Sequence, residues 1–337
     1  MSAPPENMIR PRNLGLLAAA IITFVLGLIV FTEGGEPVAL VFPGERVDGP
    51  LVEEFGRDAI PERFPYDGTR TYQLAKHFPD LEAAYDDGVA DFRMTRVLQA
   101  SIASIFGTGN PVLLALAALS VVGVGIATWS LSDLALRHGR DPRVGLAALL
   151  ALALPAAITT TEPLAFGLAL AGLAMFDRDR LIVATCLFGA AGLGRETALA
   201  AAVAAALVLL ARRQIVAAAA VAILSATPYV IWAAYVSSRI PATRDPTTQF
   251  LGFLHIPDAV GTFDITLAVL TVFLLVVGVI TWRDVPALAI TSGLFLAACL
   301  VYIGDQYRWH GFVRVSALGV ALGLAGGLGE ISARTAI

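Results

Sequence analysis

The feature that most constrains this chain is a series of ten apolar blocks, at residues 14–31, 111–135, 144–157, 163–176, 181–192, 198–211, 215–236, 263–281, 285–303 and 315–328. A helix rising 1.5 Å per residue needs about 20 largely apolar residues to cross the hydrocarbon core of a bilayer. Several blocks reach that length. Four are short and come as two pairs, 144–157 with 163–176 and 181–192 with 198–211. The blocks are continuous rather than striped, so one-sided packing in a soluble core does not explain them. Only 15% of the 337 residues are charged and 57% are hydrophobic, against about 25% charged in a soluble domain. The expected class is an all-α integral membrane protein with about ten transmembrane segments, four of them short.

Residues 32–110 differ in kind. They carry Glu33, Glu36, Glu45, Asp48, Glu53, Glu54, Arg57, Asp58 and Glu62 among other charges, and such a segment does not sit in lipid. It also holds Tyr72, Leu74, Ala75, Phe78 and Leu81 at helical spacing. A disordered linker lacks such a pattern, so a folded loop of short helices is expected. Residues 97–106 read as an interfacial amphipathic helix.

The first block follows Arg10 and Arg12, and no small-x-small cleavage site comes directly after it. It reads as an uncleaved span with residues 1–13 in the cytoplasm. Counting from there, the cytoplasmic turns hold Arg137, Arg140 and Arg143, then Arg178 and Arg180, then Arg212 and Arg213, then Arg283. This agrees with the rule that cytoplasmic loops collect basic residues. The bundle then occupies residues 111–328, with the tail 329–337 also cytoplasmic. The long loop 32–110 falls on the outer side, with 237–261 and 304–314.

The net charge of −4 says little in a chain whose charges matter by placement; the basic residues are Arg apart from Lys76, and no nucleic-acid partner is expected. No P-loop, H-E-x-x-H, G-x-S-x-G or Cys/His ligand pattern occurs, so no cofactor is expected. Asp48, Asp67 and Glu162 have no spacing that favours a divalent metal. Cys186 and Cys299 read as buried hydrophobes.

Two short pairs of helices would draw Glu162, Arg195 and Glu196 below the outer surface, and ionisable residues at membrane depth are candidates for function. An Arg195–Glu196 ion pair there would be costly if idle. Helix-start chemistry alone also accounts for Glu162, which precedes Pro163. Arg308, His310 and Arg314 lie in the outer loop 304–314. A carboxylate that acts as a base, beside several Arg that bind phosphate in two-pronged fashion, suits a substrate with a phosphate head and a lipid tail.

Four elements carry a family resemblance. Tyr66-Asp67-Gly68, followed by Tyr72, resembles the Tyr-Asp-Gly signature in the first outer loop of a group of bacterial GT-C-type membrane glycosyltransferases. Phe92-Arg93-Met94-Thr95-Arg96-Val97-Leu98 is similar to the Tyr-Arg-x-x-Arg-Ile-Leu element of that group. Thr161-Glu162-Pro163-Leu164 is similar to its Ser/Thr-Glu-Pro-Leu element, and Gly194-Arg195-Glu196-Thr197 to its Arg-Glu-Thr turn. The elements occur in the family's order over residues 14–212. Thr69, Arg70 and Thr71 depart from it, standing where the group commonly has Gln and aromatic residues.

The resemblance implies a GT-C-like fold in the bacterial inner membrane. It implies transfer of a sugar from a polyprenyl-phosphate donor to a glycan, lipid or protein acceptor on the outer face, with membrane lipid as surroundings. Asp67 would be the general base. Tyr66, Tyr72, Arg93, Arg96, Glu162, Arg195, Glu196, Arg308, His310 and Arg314 would bind substrate. A transporter or flippase of a lipid-linked or anionic substrate is the competing expectation, since the two short pairs look slightly repeat-like.

Overall fold

Proline opens the chain's first helix. Pro11 has its φ set for the first helical turn and needs no amide partner there, and Arg10 before it is extended. In the computed structural model, which describes residues 9–41, 43, 49–60, 67–242, 262–301 and 317–335, every regular element is helical among the described residues. Helix α1 (Pro11–Thr32) buries Leu14, Gly15, Ala18, Ile22 and Leu26, a stripe at three- and four-residue spacing. That stripe packs on α7 (Asn110–Arg137).

Between these two helices lie α2 (Gly49–Phe55), α3 (Asp67–His77), α4 (Leu81–Asp86), α5 (Asp91–Met94) and α6 (Val97–Ala103). They bury a core of their own. Tyr72, Leu74, Leu81, Val89 and Met94 pack on Val112, Leu113 and Leu116 of α7. Gln99 pins α6 to α7 by donating to the Leu116 carbonyl at 2.9 Å and to the Ser120 hydroxyl at 3.2 Å.

The remaining helices are α8 (Leu146–Ala157), α9 (Glu162–Phe176), α10 (Leu181–Gly194), α11 (Ala200–Ala211), α12 (Ile215–Arg239), α13 (Thr262–Thr281), α14 (Pro286–Val301) and α15 (Ala317–Thr335). Among the described residues three helices, α1, α7 and α12, are long and apolar enough to cross a membrane, by length and composition. The shorter α8 to α11 span about 18–22 Å each at 1.5 Å per residue. Phe24, Phe31, Ile182, Val216 and Ile223 stand exposed on the outside of the bundle. Apolar surface of this extent suits a membrane environment. Cys186, expected to be buried, is exposed on α10, because it lies on the face turned away from the core. Cys299 lies where side chains are not described.

Helix α7 is the central post, packing on α1, α8 and α9. Its contact with α9 depends on two glycines. A Cβ on Gly123 would meet the Pro163 and Leu164 backbone, and one on Gly167 would meet the Gly123 carbonyl. Small residues at a helix crossing allow this close approach. The crossing fixes the start of α9, and with it Glu162. Helices α13, α14 and α15 pack together and dock on α8 and α11.

A candidate substrate cleft at the first-loop interface

Asp67 is the first residue of α3, and the backbone around it is held from two sides. A Cβ on Gly68 would run into the carbonyl oxygens of Ile158 and Val41. Glycine therefore lets α3 begin against the turn between α8 and α9. Two threonines fasten the same junction: Thr69 donates to the Val41 carbonyl at 3.3 Å, and Thr159 to the Leu40 carbonyl at 2.6 Å. Thr159 has φ of 50°, a conformation uncommon for a β-branched residue. The two polar stretches thus meet backbone to backbone.

A narrow cleft opens where they meet. From α3 it is lined by Asp67, Arg70, Thr71 and Leu74, which share one helix face at spacings of three, four and seven. Arg93 and Arg96 come from around α5. Thr160, Thr161 and Glu162 come from the start of α9, and Arg195 from the end of α10. The cavity measures about 20 Å³, room for about one water molecule. In this form the cleft admits one end of a molecule, such as a hydroxyl or a phosphate oxygen.

Three ion pairs organise it. Arg93 donates to Asp67 at 2.7 Å, with both side chains about three-tenths exposed. Arg96 grips Glu196 with two hydrogen bonds, at 3.0 and 3.2 Å. Arg195 donates to Glu162 at 2.6 Å, and this pair is sequestered, with side-chain exposures of 5% and 0%. Burial disfavours the charge on Arg96, but Glu196, with Glu162 and Asp67 further off, outweighs it and raises its pKa. The Phe92 ring lies 5.3 Å from the Arg93 guanidinium and 5.9 Å from that of Arg96, within cation–π range.

Asp67, Arg93, Arg96, Glu162 and Arg195, all expected at a site, are brought to one cleft. The structure corrects two other expectations. Arg195 and Glu196 do not pair with each other. The extended backbone at Arg195 (φ −158°, ψ 123°) turns the neighbours to opposite sides, so that Arg195 meets Glu162 and Glu196 stands behind Arg96. Tyr72, expected to bind substrate, is fully buried in the loop core. Its hydroxyl donates to Glu54 and accepts from the Gly109 amide. Burial and the bond to Glu54 push its pKa up, so it is a neutral structural donor.

Tyr66, Arg308, His310 and Arg314 lie outside the described residues. Arg70, Thr71 and Thr160 line the cleft without having been singled out for it; for the first two the signal was helical phase, once α3 is known to begin at Asp67. Glu162 also opens α9, with Pro163 in the first turn behind it, although the Thr161 side chain makes no capping hydrogen bond. Among the described residues no three His, Cys, Asp or Glu side chains cluster as a metal site would require.

Compared with protein-family models, with curated proteins and with solved structures, the chain matches none.

Proposed function

We propose that the chain is an inverting GT-C-type glycosyltransferase of the bacterial inner membrane. It moves a sugar from a polyprenyl-phosphate donor to an acceptor on the outer face. In this reading the ten apolar helices all cross or enter the membrane, both termini are cytoplasmic, and residues 32–110 form the outer loop. The observation that supports it most is convergence. Four sequence elements up to 128 residues apart, from Asp67 to Arg195, contribute side chains to one cleft.

The chemistry follows from the charges. Asp67 accepts the proton of the acceptor hydroxyl. The hydroxyl oxygen attacks the anomeric carbon, the bond from that carbon to the phosphate oxygen breaks, and the phosphate leaves with the bonding electrons. A carboxylate serves the incoming group, and positive charge serves the outgoing one. Arg93, Arg96 and Arg195 supply that charge, and guanidinium forks match phosphate oxygens.

The Asp67–Arg93 pair sets an order. A carboxylate tied to a guanidinium at 2.7 Å is a poor base, because the ion pair stabilises its charged form. A donor phosphate offers Arg93 a better partner. Drawing Arg93 across the cleft would release Asp67 when its substrate is present. The donor therefore binds first.

The test uses proteoliposomes loaded with radiolabelled polyprenyl-phosphate hexoses and a membrane extract as acceptor. Wild-type protein should transfer label to a product, and Asp67→Asn, nearly isosteric but not basic, should not. Transfer by Asp67→Asn at the wild-type rate would overturn the proposal. Labelled lipid crossing the bilayer intact, without transfer, would favour transport instead.

A further inference from the structure

Resting on that reading, we infer that the Thr161 hydroxyl donates a hydrogen bond to an oxygen of the donor phosphate. Thr161 stands just before α9, where a threonine ordinarily caps the helix by accepting from its second or third amide. It does not do so here. The second position is Pro163, which has no amide hydrogen. The third is Leu164, whose nitrogen lies against α7, next to where a Cβ on Gly123 would stand. The Thr161 backbone is already helical, at φ −76° and ψ −17°, and its side chain makes no capping bond.

Its neighbours are used differently. Thr160 donates to the Pro155 carbonyl at 3.0 Å, and Thr71 to the Asp67 carbonyl at 3.1 Å. Both line the cleft with Thr161. Of these three threonines, Thr161 alone has no hydrogen bond to its hydroxyl among the described residues. Thr161 is 6% exposed, and its hydroxyl is not sealed in, as the unpartnered hydroxyl of Thr197 is. The cleft holds about one water-sized group, so an oxygen that enters comes within reach of it. Charge says which oxygen that is. Four arginines line the cleft, Arg70, Arg93, Arg96 and Arg195, against two carboxylates, Asp67 and Glu162. This excess draws an anion however the charges pair among themselves, and in the proposed reaction the anion is the donor phosphate. A hydroxyl beside an anionic oxygen donates to it, and such charge-assisted bonds are the strong ones. The bond strengthens as charge builds on the leaving phosphate. The plain alternative is that Thr161 only fills space at the turn between α8 and α9.

Titration of the full-length protein in nanodiscs, with empty nanodiscs as the reference, separates the two. The probes are geranyl phosphate, which carries the phosphate without a sugar, and a polyprenyl-phosphate hexose. Thr161→Val keeps the shape and removes the hydroxyl, whereas Thr161→Ser keeps the hydroxyl and loses a methyl. Thr161→Val should weaken geranyl phosphate binding by about tenfold or more, the size of one hydrogen bond to a charged group. Its thermal midpoint should stay near wild type, and Thr161→Ser should bind much as wild type does. A space-filling role predicts the reverse, with Thr161→Val binding normally and Thr161→Ser melting lower. Wild-type affinity in Thr161→Val would sink the inference; binding by the wild-type protein would then leave the glycosyltransferase reading standing. A loss that Thr161→Ser shares and that tracks a fall in thermal midpoint would sink it too. A loss confined to the hexose-bearing probe would make Thr161 a sugar contact and overturn the assignment to phosphate. Failure of the wild-type protein to bind either probe would overturn both readings.

Discussion

The two ends of the bundle use the same residue types in opposite ways. At the end described above, Arg and carboxylate pairs turn inward and converge on a cleft. At the other end they spread along a rim. Arg137 meets Asp177 at 2.7 Å, Arg178 meets Asp133 at 2.7 Å and Arg140 meets Asp284 at 2.8 Å. Arg140 also lies 4.0 Å above the Trp282 ring. The rim has a larger cavity, about 180 Å³, lined by apolar residues such as Leu134, Leu173 and Phe176 and also by His138, Asp177, Asp179, Arg212 and Asp284. What separates the two ends is one sequestered pair: Glu162 is fully buried against Arg195, whereas Asp284 is half exposed. The rim pairs tie the ends of α7, α9 and α13 together, and solvent screens them. In the cleft only the Arg195–Glu162 pair is shut away from water; Arg93–Asp67 is about as exposed as the rim pairs.

The sharpest way to break this contrast is to remove one member of the sequestered pair. Replacing Glu162 by Leu strands the Arg195 charge, and breaking a buried pair costs about 3–5 kcal/mol. Glu162→Leu should fold poorly in detergent, with a large drop in its thermal midpoint. The charge-reversed double variant, Glu162→Arg with Arg195→Glu, should recover much of that stability without recovering transfer. If Glu162→Leu alone melted like wild type, the pair would be no more than another surface contact.

The Asp67–Arg93 pair lies in the cleft yet is exposed much as the rim pairs are, and its substitution should separate chemistry from folding. Asp67→Asn should reduce transfer by about 10²–10⁴-fold, the usual worth of a general base. Its effect on stability should stay within about 1 kcal/mol, as for partly exposed pairs. Rate and thermal midpoint measured on the same preparation check this. A parallel fall in both would make Asp67 structural.

Gly68→Ala should fall between these in effect. Its new methyl meets two backbone carbonyls, those of Ile158 and Val41, and neither gives way like a flexible side chain. Overpacking of this kind costs about 1–3 kcal/mol. The loss of transfer should exceed what the lost stability explains, because the methyl displaces the start of α3 and so Asp67. A variant with normal transfer would show that the junction does not position the cleft.

How much of this was legible beforehand differs between the two regions. The helices were, because continuous apolar stretches have few ways to satisfy their backbone apart from helix. Residues 14–31 and 111–135 became α1 and α7 to within four residues at each end. The convergence of Asp67, Glu162 and Arg195 was legible from the alternation of basic and non-basic turns. The pairing was not. Arg195 and Glu196 are adjacent in sequence, and adjacency suggests a pair. Only the extended backbone at Arg195 shows that each reaches a different helix. Tyr72 was misjudged because an aromatic beside a polar motif looks like a substrate platform, whereas its position five residues into α3 turns it toward the loop core. Arg70 was hidden because helical phase has no meaning until the first helical residue is fixed.

The smallest effect expected is at the rim, and it has a definite sign. Burial pushes the Asp177 carboxyl up, but hydrogen bonds from Arg137 and His138, together with their charges, overcome this and hold it below its ordinary value. A carboxylate whose folded pKa is depressed stabilises the fold above its unfolded pKa, and that contribution is lost as pH falls through the folded value. With an ordinary Asp value near 4, the Asp177 contribution should be present above about pH 4 and fade below it. Asp177→Asn should lower stability by no more than about 1 kcal/mol at neutral pH, and the gap to wild type should close under acid. A gap that widened in acid would mean that Asp177 is held protonated and that the rim, like the cleft, contains a carboxyl shaped by burial rather than by its cationic neighbours.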